Sequence, residues 1–204
     1  EDASRYAITL PIVKGRIQFP LSLSKGQHVY DMFVQLMHEQ RNTQDFSKLP
    51  IPFYCVATDI NTGEKTVLDK GYLPLAVNAS SALPTLFSPV QVEDRMLIDG
   101  GIVDNYPIDE MLSKGMDVII GVDVQTNVSS TDETSTLSEV VTRIASFQTR
   151  KQMASKKAKT HIYIRPEMDD FNILSFDKKN EIMAQGVLAG QKARPQLQIV
   201  AKNQ

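Results

Sequence analysis

The chain has 204 residues, of which 42% are hydrophobic and 23% charged. That is ordinary globular usage, which excludes a disordered chain; the length fits one domain, residues 1–204, able to bury a core without disulfides or metal. A net charge of -2 argues against a nucleic-acid binder working by bulk charge, and a single cysteine, Cys55, excludes a disulfide framework or a cysteine-based metal site.

The chain opens Glu1-Asp2-Ala3-Ser4-Arg5, with no initiator methionine and no charged-then-apolar signal segment, so it reads as a piece of a longer protein. Residues 13–23 form an extended segment broken at Pro20. Ser24 and Gln27, three apart, predict a capping box, and the helix that follows carries Val29, Phe33, Leu36 and Met37 on one face. Residues 53–60 are rich in aromatic and β-branched types and predict a buried strand. Asn61-Thr62-Gly63-Glu64 is turn chemistry, so residues 65–68 return as its hairpin partner. Pro74 starts a short helix over about 75–81, and Pro84 stops it. The longest uncharged stretch, 71–92, contains Pro74, Pro84 and Pro89 and cannot cross a bilayer as a helix.

Residues 95–124 are the most informative. Arg95 to Asp99 is a short strand ending in an acid, Gly100-Gly101 turns the chain, and Asn105-Tyr106-Pro107 opens a helix that Gly115 closes. Residues 117–124 are a nearly unbroken apolar strand of the kind buried on both faces. Strand, helix, strand within this span predicts a βαβ unit and a parallel pair. Thr136 and Glu139 make a second candidate capping box; Leu137, Val140, Val141, Ile144 and Phe147 follow as an apolar stripe. A strand over 161–165 and a last helix over about 178–193 complete an α/β layered fold with a mostly parallel sheet.

Ligands gather at the carboxyl ends of strands in open α/β sheets, and Asp99 lies at such an end. An acid there can orient or deprotonate a neighbour; equally, Asp beside Gly commonly caps a turn. Spacing alone leaves both readings open.

The run Asp99-Gly100-Gly101-Ile102-Val103-Asp104-Asn105-Tyr106-Pro107 resembles the Asp-Gly-Gly motif of the patatin-like phospholipases. Residues 49–53, Thr58-Asp59, 76–84, 87–90, 117–123, 162–166 and the closing helix with Gly186 follow that family's order and spacing. The resemblance covers nearly the whole chain from about residue 10. It implies a three-layer α/β/α domain with a mostly parallel central sheet, and a lipid acyl hydrolase with a Ser–Asp dyad. A base must take the serine proton, because the hydroxyl alone is a weak nucleophile. Preorganised donors must then meet the oxyanion. Asp99 matches the family's base; Gly100 and Gly101 shape its turn; Asn105 and Pro107 support the loop and the helix start. Asp104, in the same loop, is expected to be dispensable for turnover.

The chain departs from the family in one respect. It contains no Gly-x-Ser-x-Gly and no glycine-rich oxyanion loop. Both belong, in the family, to a segment N-terminal to this one, so the strand and nucleophile elbow are expected upstream. An upstream segment or another copy of the chain is expected to complete the sheet. The chain alone is expected to be inactive. The alternative is a non-catalytic α/β binding or interaction module.

His28, His38 and His161 lack metal-ligand spacing and read as surface or strand residues; no metal and no cofactor is expected. Cys55, inside an apolar strand, reads as a buried inert thiol. Arg150, Lys151, Lys156, Lys157 and Lys159 form a basic cluster, read as a solvated helix end or as a contact with anionic headgroups on a membrane surface. The expected partner is a lipid or phospholipid substrate, not nucleic acid. Ser146-Phe147 and residues 163–166 look most like bacterial patatin domains attached to an outer-membrane barrel, which points to the cell envelope, with the cytoplasm as the alternative.

Overall fold

The structure, a computed structural model, describes residues 12–13, 16–17, 22–24, 26–126, 137–171 and 175–202. The pair Thr136/Glu139 and the side chains of Leu137 and Val141 lie outside that description. The chain separates into two compact units, Glu1–Val103 and Asp104–Gln204.

In the first unit, β1 (Ile12–Val13) and β2 (Arg16–Ile17) pair antiparallel, followed by β3 (Ser22–Ser24) and α1 (Gln27–Leu36). The predicted capping box does not form. Gly26 caps α1 with a left-handed φ of 71°, a conformation that costs glycine little, and donates its N–H to Ser24 Oγ at 3.0 Å. Gln27 instead reaches forward to Asp31 at 2.8 Å. Val29, Phe33 and Met37 are half-buried, while Leu36 is 73% exposed and leaves the predicted face.

The hairpin forms as predicted. β4 (Cys55–Asp59) and β5 (Lys65–Leu68) pair antiparallel, from Cys55 opposite Leu68 to Thr58 opposite Lys65. Next come α2 (Leu73–Ser80), with Pro74 in its first turn, and β6 (Thr85–Phe87), parallel to β3. β7 (Val90–Val92) and β8 (Arg95–Asp99) complete a sheet of order β5-β4-β8-β7. Every pairing in that sheet is antiparallel, where a mostly parallel one was expected. The connections explain two of the three pairings: short turns join β4 to β5 and β7 to β8, and a tight hairpin can join only antiparallel neighbours. Phe46, Leu73, Ala76, Ala79 and Leu97 form the core against Ala57 and Leu68.

In the second unit, α3 (Ile108–Ser113) is followed by Gly115 at φ 74° and then β9 (Ile120–Val122). α4 (Leu137–Ala158) leads to β10 (Ile162–Ile164), and α5 (Lys179–Lys202) ends the description. β9 takes its parallel partner from β10, after a crossover long enough to permit it, while β8 is paired with β4 and β7. The predicted βαβ pair is therefore replaced by one a step later in the chain. Nor is β9 buried on both faces: Ile119, Gly121 and Asp123 are buried, but Val118, Ile120, Val122 and Val124 are exposed. The core here is Tyr106, Ile108 and Ile119, with Met153 and Tyr163 against it, and it covers one side only. α5 buries Ala189 and Ala193 and carries Gly186, Gly190 and Pro195 within its length. Helices with parallel and antiparallel strands make an α/β fold, as the sequence implies.

Candidate active site

Asp99 ends β8, opposite Ala57 of β4. Its backbone is held at both polar atoms: the N–H donates to Ala82 O at 3.0 Å, and the carbonyl accepts from Thr58 Oγ1 at 2.8 Å. The chain then makes a 3-10 turn over Gly100–Ile102. Asp99 Oδ1 accepts the Gly101 N–H at 2.6 Å, so this carboxylate does cap its own turn. That bond fixes the orientation of the carboxylate through one of its oxygens. Of the two readings of Asp99, the structure shows the turn cap.

The carboxyl is half-buried, and burial pushes its pKa above the usual aspartate value, with the Gly101 N–H acting the other way. A raised carboxylate is a stronger proton acceptor.

Gly100 is buried against Val56, whose carbonyl oxygen accepts Ser80 Oγ–H at 2.7 Å. Thr58 and Ser80, which steady the turn, were invisible as site residues in the sequence: each acts across a fold-level contact, 41 positions from Asp99 for Thr58 and 24 from Val56 for Ser80.

Asn105 and Pro107 fall in the second unit. Asn105 is exposed, and Pro107 is the N-cap residue of α3. Between them, Tyr106 is buried and its hydroxyl bonds Thr160 Oγ1 at 3.1 Å. Asp104 begins the second unit. It is buried and pairs with the equally buried Lys156 of α4, which also donates to Tyr106 O at 3.0 Å. One member of the predicted basic cluster is thereby an internal residue. Two others are engaged as well: Lys159 with Asp109 at 3.1 Å, and Lys157 above the Tyr163 ring at 4.4 Å.

Cys55 is half-buried, its Sγ 3.5 Å from Ala76 O. Burial pushes the thiol up to about 11, with a Ser80 hydrogen bond opposing. His28 and His38 are exposed, and His161 Nδ1 accepts the Ile119 N–H at 3.0 Å. Among the described residues, no three His, Cys, Asp or Glu are grouped to hold a metal ion.

This turn, with an acid closing a strand and two glycines after it, is the geometry that the Asp-Gly-Gly motif specifies. A family model described as Patatin-like phospholipase matches residues 5–112. The chain belongs to the patatin-like phospholipase family. It is 31% identical over 169 residues to the lysophospholipase nte1 of Neurospora crassa, covering 70% of this chain and 11% of that protein. It is 30% identical over 167 residues to lysophospholipase nte1 of Aspergillus fumigatus, with 70% and 11% covered. With lysophospholipase NTE1 of Pyricularia oryzae it shares 29% over 165 residues, or 69% and 11%. The chain spans about a tenth of the length of these relatives. They are fungal, and they lend no support to a bacterial source or to attachment to an outer-membrane barrel.

Proposed function

We propose that this chain is the base-bearing part of a lipid acyl hydrolase that cleaves a phospholipid or lysophospholipid ester. A serine outside the chain is the nucleophile and Asp99 the general base. Asp99 Oδ2 takes the hydroxyl proton as the oxygen attacks the ester carbonyl. Protonated Asp99 gives that proton to the departing oxygen, which leaves as the alcohol; the regenerated carboxylate then takes a proton from water as it attacks the acyl-serine, and returns it to the serine oxygen as the fatty acid is released. The oxyanion donors likewise lie outside the chain. The observation that carries this reading is the Asp99 carboxylate, half-buried at a strand end and oriented by the Gly101 N–H. Family membership and the lysophospholipase relatives support the lipid ester as substrate.

The test is Asp99→Asn in the full-length protein, which keeps the shape and removes the base. Turnover should fall on the order of 10²–10⁴-fold, the usual contribution of a general base. Exposed Asp94→Asn serves as the control. The chain by itself should not hydrolyse a chromogenic fatty-acyl ester above background. Near-normal turnover by Asp99→Asn would leave Asp99 a turn residue and favour a non-catalytic module.

A further inference from the structure

We propose that Thr58 is a positioning residue for Asp99: its hydroxyl holds the peptide bond that follows the base and so fixes where the carboxylate points. This rests on Asp99 acting as the base. A hydroxyl in a buried strand is costly unless it finds a partner. Thr58 is 2% exposed, on a strand that pairs on both sides, with β5 and with β8. Its Oγ1 donates to the carbonyl oxygen of Asp99, 41 residues on, at 2.8 Å. Branching at the β-carbon limits Thr58 to few rotamers, so the donor is held in direction as well as buried.

The bond falls where the backbone is freest. The Asp99 carbonyl belongs to the peptide that leads into Gly100, and the next amide, that of Gly101, is the one that caps the carboxylate at 2.6 Å. Two glycines in succession leave the dihedral angles between those groups almost unrestrained. Gly100 must nonetheless be glycine, because Val56 leaves no room for a β-carbon. Rotating the Asp99–Gly100 peptide would carry the Gly101 N–H away from Oδ1 and let the carboxylate turn. Ala82 O, by accepting the Asp99 N–H at 3.0 Å, fixes the peptide before Asp99; Thr58 fixes the one after it. A hydroxyl that only satisfied a strand-end carbonyl would matter to stability alone. This one restrains the turn on which the direction of the base depends, so its loss should be read in turnover.

Thr58→Val keeps the shape and removes the donor. In the full-length protein acting on a chromogenic fatty-acyl ester, kcat should fall about 10- to 100-fold, the scale of a misplacement of about 1 Å. KM should stay unchanged, as for an interaction that matters only in the transition state. The acid limb of kcat/KM should move to higher pH, because the Gly101 N–H lowers the Asp99 pKa and its hold would weaken. Asp59, the other acid on β4, is turned to the Asn61 N–H at 2.8 Å. Thr58→Ser restores a donor and should recover most of the turnover and the wild-type acid limb. Thr66→Val, at a buried threonine of β5, should leave both as they are. Added to Asp99→Asn, Thr58→Val should lower turnover little further, because no base is left to position. Wild-type kcat in folded Thr58→Val overturns the proposal. So does a failure of serine to rescue, or a loss that simply adds to that of Asp99→Asn. Should Thr58→Val not fold, Thr58→Cys, similar in size and only a weak donor, is read in its place. Near-normal turnover by Asp99→Asn overturns the catalytic reading and this one with it. A large loss there beside an unchanged Thr58→Val overturns this one alone.

Discussion

A β-carbon on Gly100 would lie 2.1 Å from the carbonyl oxygen of Val56. No side-chain rotation relieves such a contact, because the obstacle is backbone in the middle of the sheet, with its oxygen already held by Ser80. Glycine is required here by space, since Gly100 does not have a positive φ.

Gly100→Ala must therefore push β8 and β4 apart or displace the turn. We expect a stability loss of about 1–3 kcal/mol, as for other overpacked sites, read from denaturant unfolding. Turnover should fall further than stability does, because the displaced turn carries Asp99. Wild-type stability would mean that the strands separate freely at this point.

Asp99 makes stability and activity run in opposite directions with pH. Its folded pKa is raised, so between the unfolded and folded values the folded state holds the extra proton. The stabilising contribution is complete below the unfolded value and is lost as pH rises through the folded one. With Asp99 as the base proposed above, activity should need the ionised form and rise through the same folded value. The acid limb of the kcat/KM profile should therefore lie above the ordinary aspartate range. Asp99→Asn, which carries no charge to bury, should equal or exceed the wild-type melting temperature at neutral pH. A lower melting temperature for the variant would show that the ionised carboxylate supports the fold.

Lys156 and Asp104 should be tightly coupled. Removing either partner alone, as in Lys156→Met or Asp104→Leu, takes the main counter-charge from a buried group and should cost about 3–5 kcal/mol. The double variant should recover much of that loss, because two apolar side chains can share the space. Additive losses in the double-mutant cycle would contradict a buried pair. Asp104 is thus a poor neutral control for Asp99, despite standing in the same loop.

Cys55 should be nearly inert in the folded protein. With its thiol pushed to about 11, only about a thousandth is thiolate at pH 8, against roughly a quarter for a free cysteine. Alkylation by iodoacetamide, followed by intact mass, should be about a hundredfold slower than after unfolding in urea. Rapid labelling under native conditions would mean that the start of β4 opens readily.

The parts of the fold legible in the sequence were those decided locally. The hairpin from Cys55 to Leu68 was readable because its turn residues and both strands lie within a few positions of one another. The Asp99-Gly100-Gly101 turn was readable for the same reason, and its motif also carried the family. What could not be read depends on partners distant in the chain. The affinity of β9 for β10 rather than for the strand ending at Asp99 is set across α4, and no local pattern marks it. The α4 stripe had helical spacing, but spacing shows only that a face exists, not whether it turns inward. Ser24 and Gln27 had the spacing of a capping box, yet Gly26 supplied an easier start to the helix. Lys156 looked like one cation among several because nothing near it in sequence signals Asp104.

α5 combines Gly186, Gly190 and Pro195 in one helix. Each glycine weakens a helix by about 1 kcal/mol relative to alanine, and an interior proline by about 3. Proline also removes the amide that would bond the carbonyl four residues earlier, that of Gln191. Such a segment is held by its docking through Ala189 and Ala193 more than by its own backbone. Its amides should then exchange with solvent deuterium well before those of β4 and β8, with the fastest rates around Pro195. The second unit would come apart from its last helix inward, with α5 leaving as the first cooperative step of its unfolding.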